Sequence, residues 1–214
     1  ERAAERALSY LDQGFTALKF DPAGAYTVFD GGMPTAGELE RSEAFMRTLR
    51  DAVGGGVDLL FGTHGQFTPA GAIRLAQRIA PYDPLWLEEP VPPENAAEMA
   101  LVARATSIPV ATGERLCTKY EFARVLDEGA AAILQLNLGR VGGLLEAKKI
   151  AALAEVKYAQ IAPHLYCGPI VSAANVQLAT CSPNFLILEG IEMWDGFHAA
   201  LLDKPVNWQN GYVI

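Results

Sequence analysis

Short apolar runs alternate along the chain with longer stretches in which apolar residues recur every three or four positions. The first pattern is typical of buried strands and the second of amphipathic helices. Seven strands are predicted, at Thr16–Phe20, Val57–Phe61, Leu85–Leu87, Val110–Thr112, Ile133–Leu136, Gln160–Ala162 and Leu186–Leu188. Seven helices are predicted, at about 2–13, 36–53, 69–80, 94–105, 118–128, 142–156 and 170–181. Helix start signals are Thr68 before Pro69, Pro93 before Glu94, and Thr118 with Glu121 three residues later.

The regular alternation predicts an α/β fold with a parallel sheet. Successive strands begin about 25 residues apart, which is one strand with its crossover helix. Seven such units favour a (β/α)8 barrel of the TIM type over an open sheet. Because the chain opens in a helix, we expect an incomplete barrel without its first strand, as part of a longer protein. Residues 1–190 are predicted to form the barrel, and residues 191–214 a segment that leaves it.

Charge and cysteine content narrow the possible partners. The chain has 17 Lys and Arg against 25 Asp and Glu, a formal charge of −8, which repels phosphate backbones and anionic lipids. We therefore expect no nucleic-acid or membrane partner. Cys117, Cys167 and Cys181 are odd in number and lack C-x-x-C spacing, which argues against a disulfide framework and favours the cytoplasm. No apolar run reaches the roughly 18 residues of a membrane span.

Polar or titratable residues directly follow each apolar run. In a parallel barrel, functional groups gather where strands end and loops begin. In strand order these residues are Lys19 and Asp21, His64, Glu88 and Glu89, Glu114 and Arg115, Asn137, His164, and Glu189. Such side chains are not buried without partners, although each follows a stretch that is expected to be buried. The coincidence predicts a functional site at the carboxyl ends of the strands.

Two strand-end carboxylates, Glu88 and Glu114, are of the type that binds a hard cation such as Mg²⁺. Such an ion would neutralise a substrate carboxylate while His164 acts as base on the adjacent carbon. The alternative for the two glutamates is a pair of salt-bridged strand ends. For His64, a role in catalysis and a structural hydrogen bond in a tight loop are equally consistent with the sequence. For Lys19, a role in the site and a salt-bridged strand end are equally consistent with it.

Four segments together resemble a known family. They are Leu85–Pro90 (LWLEEP), Ala111–Arg115 (ATGER), Gln135–Asn137 through Val141–Gly143, and Pro163–His164. Nearly the whole chain resembles the barrel domain of the enolase superfamily, mandelate racemase/muconate lactonizing enzyme subgroup, which includes sugar-acid dehydratases such as galactonate dehydratase, and cycloisomerases. The spacing agrees: positions 62, 88 and 114 lie 26 residues apart, and position 164 lies 50 beyond the last.

The resemblance implies specific roles for several residues. Glu88 and Glu114 look like the second and third Mg²⁺ ligands, and His164 like the base of a His–Asp pair. His64 matches the histidine that protonates the departing hydroxyl in dehydratases of this group. Glu189 resembles the glutamate that donates a hydrogen bond to the enolate oxygen, and Lys19 the first lysine of the Lys-x-Lys motif that contacts the substrate carboxylate.

Three positions depart from the family pattern. Gly62 stands at the first metal-ligand position in place of Asp, Asn137 replaces the Asp that pairs with the base, and Asp21 replaces the second lysine. We expect a more weakly held Mg²⁺, unless His64 turns in as a third ligand. Asn137 can orient the imidazole of His164 but carries no charge to stabilise an imidazolium. Loss of the second lysine disfavours racemisation and favours a one-base elimination or cycloisomerisation.

The sequence therefore predicts a Mg²⁺-assisted lyase that removes the proton α to the carboxylate of a sugar acid and then a β-hydroxyl. Alternatives are a cycloisomerase that opens a ring ether or lactone, metal-independent acid–base isomerisation by the two histidines, and an inactive barrel that binds a ligand or forms oligomers. We expect a homo-oligomer that acts on a small sugar acid. Family members carry a separate N-terminal capping domain, and residues 22–34 are a candidate lid.

Overall fold

Helices and strands alternate along the chain as the sequence predicts. The computed structural model describes residues 2–24, 31–190, 196–204 and 206–214. The helices are α1 (Arg2–Asp12), α2 (Ala36–Val53), α3 (Pro69–Ile79), α4 (Ala96–Ala105), α5 (Lys119–Asp127), α6 (Leu144–Val156), α7 (Pro169–Thr180) and α8 (Gly196–Ala199), with a 3-10 turn at Ala80–Tyr82. The strands are β1 (Ala17–Phe20), β2 (Asp58–Gly62), β3 (Trp86–Glu88), β4 (Val110–Thr112), β5 (Ile133–Leu134), β6 (Gln160–Ile161), β7 (Trp208–Gln209) and β8 (Tyr212–Val213).

Two of the three predicted helix start signals are confirmed. The third, Pro93 before Glu94, is wrong, because α4 begins at Ala96 and Asn95 is its cap. The Thr118 side chain accepts a hydrogen bond from the backbone N–H of Glu121, whose carboxylate accepts in return from the backbone N–H of Thr118 at 2.7 Å. The Thr68 side chain caps α3 by accepting from the backbone N–H of Gly71, with Pro69 in the first turn. These bonds satisfy N–H groups that the helix itself leaves unpaired, so each helix starts directly after its strand-end loop.

The chain divides into two compact units. Unit 1 comprises Glu1–Ala111 with Gln209–Tyr212, and unit 2 comprises Thr112–Trp208 with Val213–Ile214. The boundary falls inside β4, so this strand begins in unit 1 and ends in unit 2.

Unit 1 is a parallel sheet of strands in the order β1-β2-β3-β4, with helices on its outside. The helices α1 to α4 pack against one another in chain order. The core between helices and sheet contains the fully buried side chains of Met46, Leu59, Phe61, Leu75, Ile79, Leu87 and Met99. Burial of both faces explains why these strands read as continuous apolar runs.

Unit 2 continues the same strand–helix pattern. The backbone N–H of Gln135 donates to Thr112 at 2.8 Å, and Ile133 and Leu134 of β5 pair in parallel with Gln160 and Ile161 of β6. The helices α5, α6 and α7 pack in chain order. Phe122, Leu134, Leu136, Ile150 and Ile161 fill the core of this unit.

The prediction of a regular seventh strand at Leu186–Leu188 is wrong. This segment makes one isolated parallel bridge, between Ile161 and Phe185, with Ile161 donating to Asn184 and Leu186 donating to Ile161, both at 2.9 Å. The next donor on this side of β6 would be the backbone N–H of residue 163, and Pro163 has none, so the pairing does not extend.

Some predictions fall outside the described residues. The boundary predicted at residues 190 and 191 adjoins residues 191–195, and the candidate lid at 22–34 includes residues 25–30, neither of which the structure describes. None of the helices in the described ranges is long and apolar enough to cross a membrane.

Candidate functional site

The strands of unit 1 place charged residues in two rows on one face of its sheet. Residues paired between parallel strands point to the same face, and side chains alternate along each strand. Lys19 pairs with Leu60, which pairs with Trp86, and Gly62 pairs with Glu88 two positions further along. Lys19, Trp86 and Glu88 therefore project from the same face, and their contacts agree with this.

Glu88 is a buried carboxylate with two identified partners. Its Oε1 lies 2.8 Å from Lys19 Nζ, and its Oε2 accepts a hydrogen bond from the indole N–H of Trp86 at 3.2 Å. The side chain is 2% exposed and that of Lys19 is 21% exposed. Burying a charged carboxylate costs free energy unless it is paired and hydrogen-bonded, so the ammonium of Lys19 offsets the cost of burying Glu88.

Asp21 occupies the space that a side chain on Gly62 would need. A Cβ atom on Gly62 would overlap Asp21 Oδ1 and lie 2.9 Å from Asp21 Cγ. The backbone of Gly62 is not in the left-handed region, so crowding rather than conformation explains the glycine. The other carboxylate oxygen of Asp21 lies 3.7 Å from His64 Nδ1.

The loops after β2 and β3 hold two non-glycine residues in the left-handed conformation. These are His64, with φ 53°, and Glu89, with φ 44° and a fully buried side chain. Hydrogen bonds tie the loops together: Thr63 Oγ1 donates to the carbonyl of Glu89 at 2.7 Å, and Gly65 N–H donates to the same carbonyl at 2.6 Å. Such strained residues concentrate at functional sites, where the surrounding contacts maintain them.

His164 lies after β6 in unit 2, with side chains facing both ring nitrogens. Its Nδ1 lies 3.0 Å from Asn137 Nδ2, and its Nε2 lies 3.1 Å from Glu114 Oε2 and 3.9 Å from Glu189 Oε2. The four predicted residues of unit 2 are thus brought together.

The Asn137 amide sets the tautomer of His164. Its Oδ1 accepts from the backbone N–H of Gly139 at 2.9 Å, so its Nδ2 is the atom that faces the ring. An amide N–H donates to Nδ1 only if that nitrogen carries no proton. The neutral ring therefore carries its proton on Nε2, the nitrogen that lies 3.1 Å from Glu114 Oε2.

Backbone contacts position the remaining acidic residues. Glu189 Oε2 accepts from the backbone N–H of Leu165 at 2.6 Å, beside the histidine. Glu114 follows Gly113, whose φ of 141° is a conformation that other residues rarely adopt. A Cβ at Gly113 would also lie 2.8 Å from Phe122 Cε1. Glycine at this position therefore allows β4 to approach its neighbours closely just before Glu114.

Sequence reasoning missed Asn175, which supports the histidine from α7. Its side chain is fully buried, and its Nδ2 donates to the carbonyl of His164 at 3.2 Å. A detectable signal was the spacing of Asn175, which lies three residues from Ser172 and three from Leu178 on the buried face of α7. Trp86, to which no role is assigned from the sequence, also contributes a hydrogen bond to Glu88.

The donor chemistry of Glu88 and Glu114 fits Mg²⁺. Carboxylate oxygens are its preferred protein ligands, and it usually binds through one or two of them while keeping several waters. In unit 1 the ammonium of Lys19 lies 2.8 Å from Glu88 Oε1, so this carboxylate already faces a positive charge. Within the described ranges no three His, Cys, Asp or Glu side chains form a group that could hold a metal ion, so water or substrate would complete the coordination.

Comparison with known proteins identifies close relatives. Residues 2–214 match the family described as enolase C-terminal domain-like. A D-xylonate dehydratase from Haloferax volcanii is 34% identical over 100% of the chain and 53% of its own length. A D-galactonate dehydratase from Variovorax paradoxus is 39% identical over 92% of the chain and 51% of its own length.

A solved structure of a mandelate racemase/muconate lactonizing enzyme-like protein from Roseovarius sp. TM1035 is 59% identical. The match covers 99% of this chain and 53% of that protein's chain, with a TM-score of 0.94. A mandelate racemase/muconate lactonizing enzyme-type protein from Labrenzia alexandrii DFL-11 is 70% identical over 99% of this chain and 54% of its own, with a TM-score of 0.96. The predicted fold class, an incomplete (β/α)8 barrel, is confirmed. The chain spans about half the length of these relatives.

Proposed function

The chain belongs to the enolase C-terminal domain-like family, and we propose that it carries catalytic residues of a hydro-lyase that dehydrates a sugar acid. The supporting relatives are named for the dehydration of D-xylonate, D-gluconate and D-galactonate. The observation that carries the proposal is His164, placed after β6 with polar side chains facing both ring nitrogens.

Dehydration of a sugar acid needs a base and an acid. The base removes the proton α to the carboxylate, the electron pair forms an enediolate, and the hydroxyl on the next carbon leaves as water after accepting a proton. The product enol then becomes a 2-keto-3-deoxy acid. We assign His164 as the base, at Nε2, and His64 as the acid that protonates the departing hydroxyl.

The base role depends on the orientation of Asn137. A proton can enter Nε2 only from the tautomer that carries its proton on Nδ1, and this tautomer needs an acceptor facing Nδ1. The present amide orientation favours the opposite tautomer, so the proposal requires the amide to turn and present Oδ1. An Asp side chain accepts without turning, and Asn137→Asp is therefore expected to increase the rate of α-proton removal.

Other residues would bind and orient the substrate. The ammonium of Lys19, which is partly exposed, is proposed to contact the substrate carboxylate. Glu189 is proposed to donate a hydrogen bond to the enolate oxygen, which requires its protonated form. Glu88 and Glu114 are the residues that would hold Mg²⁺. When bound, this ion supplies positive charge that lowers the energy of the enediolate.

The test uses the full-length protein with D-xylonate, D-gluconate and D-galactonate in Mg²⁺, with detection of the keto acid. His164→Ala is expected to abolish product formation, whereas His198→Ala, which alters an exposed histidine of α8, serves as the matched control. Undiminished activity of His164→Ala contradicts the mechanism. A ring-opened acid formed without loss of water supports the cycloisomerase alternative. The absence of turnover with any acid sugar or lactone supports the alternative of an inactive barrel that binds a ligand or forms oligomers.

A further inference from the structure

Two departures from the family pattern, Gly62 and Asp21, meet at one point in unit 1. Phe20, the last residue of β1, pairs with Phe61, and the residues that follow them, Asp21 and Gly62, lie side by side. The Asp21 carboxylate leans across its neighbour, with Oδ1 inside the volume that a Gly62 Cβ would fill. The acidic oxygen that Gly62 lacks is thus supplied from the adjacent strand.

The geometry points to Asp21 as a Mg²⁺ ligand that takes the place of the missing side chain at position 62. In this assignment Asp21 and Glu88 of unit 1 both bind the ion. Asp21 then does more than replace the second lysine of the family motif. It is also more than an ion-pair partner of His64.

Strand spacing supports the assignment. Neighbouring strands lie about 4.8 Å apart, so Asp21 and Glu88, two strands apart, have backbones separated by roughly 9.6 Å. Two oxygens on opposite sides of Mg²⁺, each about 2.1 Å from it, are only about 4.2 Å apart. Gly62 is the direct register partner of Glu88. Because the Asp21 carboxylate lies over Gly62, it is separated from the Glu88 backbone by about one strand spacing, roughly 4.8 Å, rather than two.

The charges near Asp21 are compatible with this role. Lys19 Nζ contacts Glu88 Oε1 at 2.8 Å, and His64 Nδ1 lies 3.7 Å from Asp21 Oδ2. Each carboxylate in this part of unit 1 therefore has a basic group within reach. A divalent cation would compensate both carboxylates at once, and Lys19 would then be released toward the substrate carboxylate that the proposed function assigns to it.

The experiment measures Mn²⁺ binding to the full-length protein, by calorimetry and by the electron paramagnetic resonance of free Mn²⁺. Loss of a positioning or ligating group typically lowers metal affinity 10- to 100-fold, so Asp21→Asn is expected to weaken binding by about tenfold or more. Asp58→Asn is the matched control, since Asp58 is exposed at the opposite end of β2. This control is expected to bind as the unchanged protein does.

The decisive variant moves the carboxylate back to β2. Asp21→Ala/Gly62→Asp is expected to bind Mn²⁺ within about threefold of the unchanged protein, because the volume emptied by Asp21 receives the new side chain. The single variant Asp21→Ala is expected to bind weakly, and near-ultraviolet circular dichroism checks that each variant is folded.

Three results overturn the assignment: no Mn²⁺ binding by the unchanged protein, full affinity in Asp21→Asn, or no recovery in the folded double variant. The inference rests on the metal-assisted chemistry of the proposed function. Mn²⁺ binding is measured without a sugar acid, however, so failure of the ligand assignment and failure of the dehydratase proposal give different results.

Discussion

Replacing Lys19 by methionine tests how strongly the buried Glu88 carboxylate depends on its cation. Methionine keeps the length and apolar stem of lysine but removes the charge 2.8 Å from Glu88 Oε1. Removing one partner of a buried ion pair costs about 3–5 kcal/mol, because the other charge is left uncompensated. The indole N–H of Trp86 remains on Oε2, and Lys19 is 21% exposed, so we expect the lower end of that range, about 3 kcal/mol.

Thermal unfolding in EDTA measures this cost without a metal ion to replace the ammonium. For a chain of this length 1 kcal/mol corresponds to about 2–4 °C, so Lys19→Met is expected to lower Tm by about 6–12 °C. Adding Glu88→Gln should recover most of the loss, because the carboxamide is neutral and keeps an acceptor for Trp86.

The matched control is the ion pair between Lys157 and Asp127. Its length of 2.9 Å is nearly the same, but the two side chains are 49% and 70% exposed. Exposed pairs contribute about 0–1 kcal/mol, so Lys157→Met is expected to change Tm by at most about 4 °C. Equal losses in Lys19→Met and Lys157→Met would refute the argument that burial makes the first pair costly to break.

Three further predictions concern crowding and charge. Gly62→Ala should cost about 1–2 kcal/mol in urea unfolding by displacing the Asp21 carboxylate, but almost nothing in an Asp21→Ala background; equal costs contradict the overlap. Gly113→Ala should cost about 2–4 kcal/mol, from a strained φ and overpacking, and a loss below about 1 kcal/mol contradicts this. Hydrogen bonds from Lys149 and then Lys119 lower the pKa of Glu146 below its ordinary value of 4.5. The stabilisation from this carboxylate is therefore present above pH 4.5 and is lost as the pH falls through the folded pKa. The Tm difference between the unchanged protein and Glu146→Gln should shrink on acidification, and a constant difference argues against this.

Most of the fold could be predicted because local signals and periodicity agree. The capping residue Thr118 and the Thr68–Pro69 pair mark helix starts without reference to the rest of the chain. The seventh strand could not be predicted correctly, because its existence depends on how much of β6 is available for pairing. An apolar run at Leu186–Leu188 carries no information about its partner.

The candidate site was predictable by position but not by geometry. Strand ends in parallel units identify Glu114 and His164, which the structure brings to 3.1 Å. The tautomer of His164 could not be predicted, since an Asn side chain either donates or accepts and only the bond from Gly139 decides between them. The overlap of Asp21 with Gly62 depends on strand register, which no single segment of sequence specifies.

The overlap between Asp21 and Gly62 also makes these two positions dependent on each other during evolution. Aspartate at both would force two negative groups into one volume, and its absence from both would leave that volume empty. Homologous chains are therefore expected to exchange the residue between the two positions in a correlated way. An alignment read one column at a time would record only the absence of an acidic residue at position 62, and not the carboxylate of Asp21 that fills the same space.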